Sequence, residues 1–214
     1  MPSKTTAACH DVDIAGAAPI KQHPYRLNPL KREVMRNEIQ YMLDNDIIEP
    51  SNSEWSSSSL LVPKYDNTFC LVTDIRKVNS VTKSDTYPIP RIEYCIDMVG
   101  HAKFVSKFYL LKGYWQVPLS RRAREVSAFA TSDGLFQYKV MPFDMRNAPA
   151  TFQRMINNAI KGLYCCAAYI DDLIVCSNCF EDHLSHLYDT FDRISKANLT
   201  VNLNKSEFCQ ATVD

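Results

Sequence analysis

Two short apolar runs, at residues 167–170 and 173–176, are separated only by the acidic pair Asp171 and Asp172. Apolar runs of this length on either side of a polar turn are typical of the two strands of a hairpin. Buried charges must be paired or bound to a metal, so an acidic pair between two apolar strands restricts how the hairpin can pack. The pattern predicts a hairpin whose turn presents one carboxylate to a site and the other to its rim. A solvated acidic turn is the alternative interpretation.

Carboxylate oxygens suit Mg²⁺, which commonly takes one or two carboxylates together with substrate phosphates. A two-metal site for phosphoryl transfer would need a further carboxylate from elsewhere in the chain. A second metal site, for zinc, can be drawn from Cys176, Cys179, His183 and His186. The two histidines lie only three residues apart, whereas structural zinc sites separate their ligand pairs by a longer loop. We therefore expect two incidental thiols and two surface imidazoles.

Helix and hairpin signals alternate along the rest of the chain. Asn28 and Pro29 form an N-cap and a first-turn proline, and the apolar stripe that follows extends to about Asn45. The other expected elements are a hairpin at 60–62 and 69–72, a helix at 91–99 closed by Gly100, a strand at 103–109, a hairpin at 126–130 and 136–140, a helix at 150–163, a helix begun by a capping box of Asn178 and Glu181, and a strand at 199–203. Because hairpins outnumber crossovers, we predict an α+β fold with an antiparallel sheet.

The composition is that of an ordinary soluble globular protein, with 46% hydrophobic and 22% charged residues among 214. No apolar run is long enough to span a membrane, and no apolar segment follows a basic start, so we expect neither a membrane span nor a secretory signal. The 24 basic and 24 acidic residues give a net charge of zero, which by itself does not favour a nucleic-acid partner. Eight cysteines without a signal sequence suggest reduced thiols inside a cell.

Seven further blocks accompany the acidic pair and its flanking residues 169–170. They are 61–64 (LVPK), 74–79 (DIRKVN), 87–92 (YPIPRI), 113–117 (GYWQV), 141–143 (MPF), 147–153 (NAPATFQ) and 202–208 (NLNKSEF). In this order they resemble the reverse transcriptase of gypsy-type long-terminal-repeat retrotransposons of the vertebrate type, over nearly all of residues 10–214.

The resemblance implies the fingers and palm of a right-hand polymerase, with an antiparallel palm sheet packed on helices. Residues 1–27 would be an extended lead-in and 28–102 the fingers with the first palm elements. Residues 103–214 would be the palm, with part of the fingers at about 120–150. Thumb, connection and ribonuclease H regions would lie beyond Asp214, in a parent Pol polyprotein.

The resemblance also implies residue roles, one matching position at a time. Asp171 and Asp172 would be metal-binding catalytic carboxylates for two Mg²⁺ ions. The expected nucleotide-binding residues are Lys64, which reaches the triphosphate, Tyr114, which lies under the sugar, and Lys205. The expected template- and primer-binding residues are Asp74, Arg76, Asn147 and Gln153. The implied partners are an RNA or DNA template-primer, deoxynucleoside triphosphates and the other Pol domains, in the cytoplasm or in a retroelement particle.

Three positions depart from the family pattern. The segment 106–114 reads SKFYLLKGY, so Tyr109 stands where the family has a third metal-binding aspartate. A neutral phenol with an ordinary pKa of about 10 does not replace a carboxylate. Cys70 stands where the family usually has a triphosphate-clamping arginine, and Asp144 where it has glycine after Met-Pro-Phe.

These departures predict an RNA-directed DNA polymerase domain whose catalysis is impaired. Two alternatives stay open. One is a binding remnant that holds nucleic acid or protein without chemistry. The other is a translated fragment without function.

Overall fold

The computed structural model describes residues 2–63, 69–100 and 102–210. Its helices are α1 Pro29–Asp44, α2 Arg76–Val81, α3 Ile92–Gly100, α4 Arg121–Val126, α5 Ala148–Ala159 and α6 Phe180–Lys196. Its strands are β1 Ile48–Pro50, β2 Ser57–Pro63, β3 Phe69–Asp74, β4 Phe104–Tyr109, β5 Phe129–Thr131, β6 Gly134–Tyr138, β7 Cys166–Tyr169, β8 Asp172–Ser177 and β9 Glu207–Gln210.

The described chain forms two compact units. The first contains residues 9–84 and 118–148, and the second contains 2–8, 85–117 and the residues from 149 onward. Because each unit is assembled from separated stretches, neither could be recognised as one continuous block of sequence. The predicted divisions at residues 27 and 102 stay predictions.

The first unit is built on a sheet with the strand order β1-β6-β5-β2-β3. The predicted hairpins β2–β3 and β5–β6 are both antiparallel. One pair, β2 with β5, is parallel, so the expectation of antiparallel pairing does not hold throughout this sheet. Helix α1 begins as predicted, because the Asn28 side chain accepts a hydrogen bond from the Lys31 amide and Pro29 opens the first turn.

The second unit carries an antiparallel sheet with the order β7-β8-β4-β9. Helix α6 packs against it through aromatic pairs. The rings of Phe108 in β4 and Phe191 in α6 lie 4.9 Å apart, and those of Phe104 and Phe180 lie 5.8 Å apart. This unit has the predicted architecture of an antiparallel sheet packed on helices.

Three local predictions were wrong. Residue 126 ends helix α4 and does not begin a strand, because Ala123 and Val126 are the buried face of a short helix that an arginine-rich segment concealed. Helix α6 is capped one residue later than predicted, since the Cys179 sulfur accepts from the Asp182 amide. The strand expected at 199–203 is only an isolated bridge between Leu110 and Val201.

The segment that contains this bridge is also bound by the side chain of Gln116, which is fully inaccessible to solvent. Its Oε1 accepts from the Thr200 amide at 2.7 Å, and its Nε2 donates to the Thr200 carbonyl at 3.0 Å. The same carbonyl accepts from the Leu111 amide at 2.9 Å. This bond and the bond from the Asn202 amide to the Tyr109 carbonyl, at 2.7 Å, form the antiparallel bridge between Leu110 and Val201.

Within the described ranges, no helix is long and apolar enough to cross a bilayer. All eight cysteines are free thiols.

Candidate active site around the acidic turn

The acidic pair lies where β7 turns into β8, as predicted. Tyr169 pairs with Asp172, so Ile170 and Asp171 form a two-residue hairpin loop. The φ angle of Ile170 is +52°, in the left-handed region that a β-branched residue rarely adopts. Strain of this kind costs about 1–3 kcal/mol and persists only where surrounding contacts enforce it.

Gln153 on helix α5 supplies those contacts. Its side chain is fully buried, and its Oε1 accepts from the Ile170 amide at 2.7 Å. Its Nε2 donates to the Ala168 carbonyl at 3.0 Å. The carboxamide is therefore hydrogen-bonded to the main chain on both sides of Tyr169. Sequence reasoning gave Gln153 a role toward template and primer; the structure places it behind the turn, so any such role would act through the turn.

Asp171 leaves the turn toward the 3₁₀ segment Gly113–Gln116, whose first residue allows a close approach. A Cβ added to Gly113 would lie 2.0 Å from Oδ1 of Asp171, so only glycine accommodates this carboxylate. The Leu110 amide donates to the Asp171 carbonyl at 3.0 Å, which fixes the turn to the end of β4. The Gly-Tyr-Trp block marked Gly113 in the sequence, but its distance along the chain from Asp171 did not predict that the two residues are in contact.

The electrostatics of the turn favour a bound cation. Oδ1 of Asp171 is buried and has no hydrogen-bond partner among the described residues. Burial, together with the charge of Asp172, raises the pKa of Asp171 to about 6. Burial also raises the pKa of Asp172, although the Lys107 ammonium opposes this. Two partly desolvated carboxylates with one uncompensated oxygen are a costly arrangement unless a cation joins them.

Tyr109 lies at the position expected for the missing carboxylate. It is directly opposite Asp172 in the register of β4 and β8, so the two side chains are nearest cross-strand neighbours. The Lys107 ammonium lies 5.0 Å from the centroid of the Tyr109 ring. A hydrogen bond with Tyr109, followed by the charges of Asp172 and Glu207, raises the pKa of Lys107. The third position therefore offers a phenol and a neighbouring ammonium.

Tyr114 and Lys205, the expected nucleotide-binding residues, differ in exposure. Tyr114 is 7% exposed, and its ring lies 5.2 Å from that of the fully buried Phe152. Burial, and then the charge of Asp171, raises the pKa of Tyr114 to about 12, so the phenol stays protonated near Asp171. Lys205 ends the 3₁₀ segment Leu203–Lys205 and is exposed. Lys64, the third residue of this set, lies outside the described residues.

Three of the four expected template- and primer-binding residues, Asp74, Arg76 and Asn147, belong to the first unit, and Gln153 belongs to the second. Arg76 donates twice to Asp74, at 2.8 and 2.7 Å, and this bond lowers the pKa of Asp74. Asn147 donates to the Lys83 carbonyl at 2.7 Å. Asp74 and Asp144 line the same cleft of about 600 Å³. Burial and the charge of Asp74 raise the pKa of Asp144.

The zinc alternative finds no support in the geometry. His183 is fully buried, so the prediction of surface imidazoles was wrong for it. Its two ring nitrogens lie 2.8 Å from the hydroxyls of Ser106 and Ser177. Within residues 2–63, 69–100 and 102–210, no three His, Cys, Asp or Glu side chains are placed to hold one metal ion.

The donor set does fit a single divalent cation held by Asp171 and Asp172. The orphaned oxygen of Asp171 is the observation that carries this fit. A two-metal site needs a further carboxylate, and the residue opposite Asp172 in β4 is Tyr109.

Comparison with known proteins gives a family match. Residues 62–214 match the family model "Reverse transcriptase (RNA-dependent DNA polymerase)". The chain is 34% identical over 95% of its length to the retrovirus-related Pol polyprotein from transposon 297 of Drosophila melanogaster. It is 37% identical over 91% of its length to that from transposon opus of the same organism. The chain spans about a fifth of the length of these curated relatives, 20% of each.

Among solved structures, the fold is similar to a foamy viral protease-reverse transcriptase in complex with an RNA/DNA hybrid. The TM-score is 0.85 and the identity 21%, over 97% of this chain and 28% of the other. The same enzyme with double-stranded DNA gives a TM-score of 0.82 at 22% identity, over 100% of this chain and 37% of the other. At this identity the likeness shows the fold, that of polymerase fingers and palm.

Proposed function

Because this chain belongs to the reverse transcriptase family and is similar to Pol polyproteins of gypsy-type transposons, we propose that it is a palm and fingers with a catalytically impaired site. The ancestral reaction is nucleotidyl transfer onto a primer 3′-hydroxyl, directed by a template. The observation that carries the impairment is Tyr109, which faces Asp172 where a third carboxylate is needed.

Asp171 and Asp172 would hold Mg²⁺, and the orphaned Oδ1 of Asp171 supports this assignment. The metal, when bound, neutralises charge on the transferring phosphate. Tyr114, Lys64 and Lys205 would bind the nucleotide.

The loss at Tyr109 weakens the step that positions the metal. Phosphoryl transfer depends almost entirely on positioning and charge neutralisation, so a missing ligand should cost several kcal/mol, or about a thousandfold or more in rate. The Lys107 ammonium beside Tyr109 also weakens metal binding. The Lys107 ammonium interacts with the charge of Asp172, so it competes with a metal ion for that carboxylate.

Cys70 and Asp144 weaken the nucleotide and template side. Cys70 is an exposed thiol in β3, where a guanidinium would make bidentate bonds to phosphate. Asp144 adds a second carboxylate to the cleft that already contains Asp74. A negative charge there repels phosphate, although Arg76 compensates Asp74 itself.

The expected partners are a template-primer, nucleoside triphosphates and other Pol domains. Support for the first comes from the foamy viral enzyme, whose structures contain an RNA/DNA hybrid or double-stranded DNA.

A primer-extension assay with Mg²⁺ tests the impairment. Once completed with a thumb, the chain should extend a primer at a rate near background, and Tyr109→Asp combined with Cys70→Arg and Asp144→Gly should restore extension. Tyr109→Asn is the matched control, because it removes the phenol without adding a carboxylate, and it should not restore extension. Robust incorporation by the unmodified chain would refute the proposal.

A binding role without chemistry is the second candidate, favoured by the ammonium that Tyr109 holds beside Asp172. Fluorescence anisotropy with a labelled RNA–DNA hybrid in EDTA measures it directly. Equal affinity with and without Mg²⁺ would favour this candidate. Absence of binding under both conditions would exclude it.

A further inference from the structure

Hydrogen bonds continue from Gln153 to the side of helix α5 away from the acidic turn. The Nε2 group of Gln153 donates to Oδ1 of Asn157 at 2.9 Å, in addition to its bond to the Ala168 carbonyl. Asn157 in turn donates from Nδ2 to the hydroxyl of Tyr87 at 2.9 Å. Both N–H groups of the Gln153 carboxamide therefore have fixed acceptors, and its oxygen is left for the Ile170 amide.

The outer end of this series is clamped to the same helix. The guanidinium of Arg154 lies 4.7 Å from the centroid of the Tyr87 ring. It donates to both carboxylate oxygens of Asp85, at 2.8 and 2.6 Å. The Tyr87 amide also donates to Asp85, at 2.9 Å. The segment 85–87 is thus held by the Arg154–Asp85 ion pair and by the contact of Arg154 with the Tyr87 ring. These contacts fix the position of the Tyr87 hydroxyl.

We infer that Asn157, oriented by Tyr87, is a positioning residue for the acidic turn. A carboxamide can rotate by half a turn and exchange its oxygen for its NH₂ group. If Gln153 rotated in this way, an NH₂ group would meet the Ile170 amide and two donors would face each other. The Oδ1 atom of Asn157 opposes that rotation because it accepts from Nε2. The Tyr87 hydroxyl accepts from Asn157 and so keeps Oδ1 directed toward Gln153.

The consequence for the turn follows from its strained residue. Ile170 stays at a φ of +52° only while its amide is held. When Gln153 loses its orientation, the turn relaxes and Asp171, the next residue, moves with it. The functional meaning of this arrangement rests on the proposed function, in which it would position the metal-binding carboxylate of Asp171. The coupling from Tyr87 to Ile170 does not rest on it.

Hydrogen exchange of the Ile170 amide, followed by NMR, tests the coupling without metal or substrate. Asn157→Leu should accelerate this exchange about fivefold to tenfold, the equivalent of roughly one net hydrogen bond. Tyr87→Phe should act in the same direction, because it removes the hydroxyl but keeps the ring for Arg154. The Phe108 amide in β4 should exchange as before in both variants.

Thr190→Val is the matched control. Thr190 is buried in the same unit and bonds to the His186 carbonyl within α6, away from this series. Its replacement should leave the Ile170 amide unchanged. An unchanged Ile170 exchange rate in both Asn157→Leu and Tyr87→Phe would overturn the inference. If Asn157→Leu does not fold, Tyr87→Phe alone decides.

A second measurement separates this inference from the proposed function. Tyr87→Phe is combined with the three substitutions meant to restore extension. Faster Ile170 exchange together with a lower kcat and an unchanged KM would support positioning. If the triple variant cannot extend a primer but adding Tyr87→Phe to it still accelerates Ile170 exchange, the proposed function alone is refuted and the coupling stays supported.

Discussion

Replacing Asp171 with asparagine should make the metal-free protein more stable at neutral pH. The pKa of Asp171 rises from its ordinary value of 3.8 to about 6, because burial and Asp172 disfavour its charge. Each unit between the folded and unfolded pKa corresponds to about 1.4 kcal/mol, which gives a cost of about 3 kcal/mol for the ionised form. The side chain is only half-buried, and solvent screening reduces this to about 1–2 kcal/mol.

The pH dependence of this cost has a definite sign. A group whose pKa is raised by folding stabilises the protein below its unfolded pKa, and this stability is lost as the pH rises through the folded pKa. The gain from Asp171→Asn should therefore be full at pH 7.5, about half at pH 5, and near zero below pH 4. The neutral amide cannot acquire the buried charge, which is why the difference appears only when the carboxylate ionises.

Urea unfolding in EDTA measures the free energy of unfolding at each pH. The control is Asp97→Asn on α3, whose side chain is exposed, and its effect should be small at every pH. Adding Mg²⁺ should stabilise the unmodified protein and not the Asp171 variant, since a ligand stabilises only the state that binds it. A variant less stable at pH 7.5, or a gain independent of pH, would refute the reasoning.

Three further changes test other parts of the second unit. Gly113→Ala should lower the free energy of unfolding by about 1–3 kcal/mol and abolish Mn²⁺ binding measured by EPR, because the added Cβ meets the Asp171 carboxylate. The control Gly100→Ala should change neither, because the space around Gly100 is open. Burial lowers the pKa of His183, so the free energy of unfolding should fall below about pH 6.5, and His183→Gln should flatten that part of the urea-unfolding profile. Thr5→Val should cost about 1 kcal/mol in thermal unfolding, because its buried hydroxyl donates to the carbonyl after α6.

The parts of the fold that the sequence predicted depend on local chemistry. Asn28 and Pro29 supply an N-cap and a first-turn proline for α1, and the acidic pair between two apolar runs forms the predicted hairpin turn. The cap of α6 was misplaced because asparagine is a favoured N-cap residue and Glu181 completes a capping box with Asn178, whereas the structure uses the sulfur of Cys179. The residue-type preference therefore indicated a start one residue too early.

The parts that could not be predicted depend on residues far apart in sequence. Gln153 is a buried amide on a helix, and only the fold shows that it reaches a turn 17 residues later. The same holds for Gln116, whose bonds to the main chain of Thr200 cross 84 residues. Both are long polar side chains that the fold buries completely, and burial is not visible in the sequence.

The acidic turn and its supports have different physical origins, and this bears on what survives when catalysis is lost. Gln153, Asn157 and Gly113 hold the turn through bonds and space that do not involve position 109. Under the proposed function, a change from aspartate to tyrosine there would remove a ligand but none of these supports. The strain at Ile170 and the charge of Asp171 oppose folding in either case. Such a palm would keep the cost of a metal site after losing part of its ability to bind the metal.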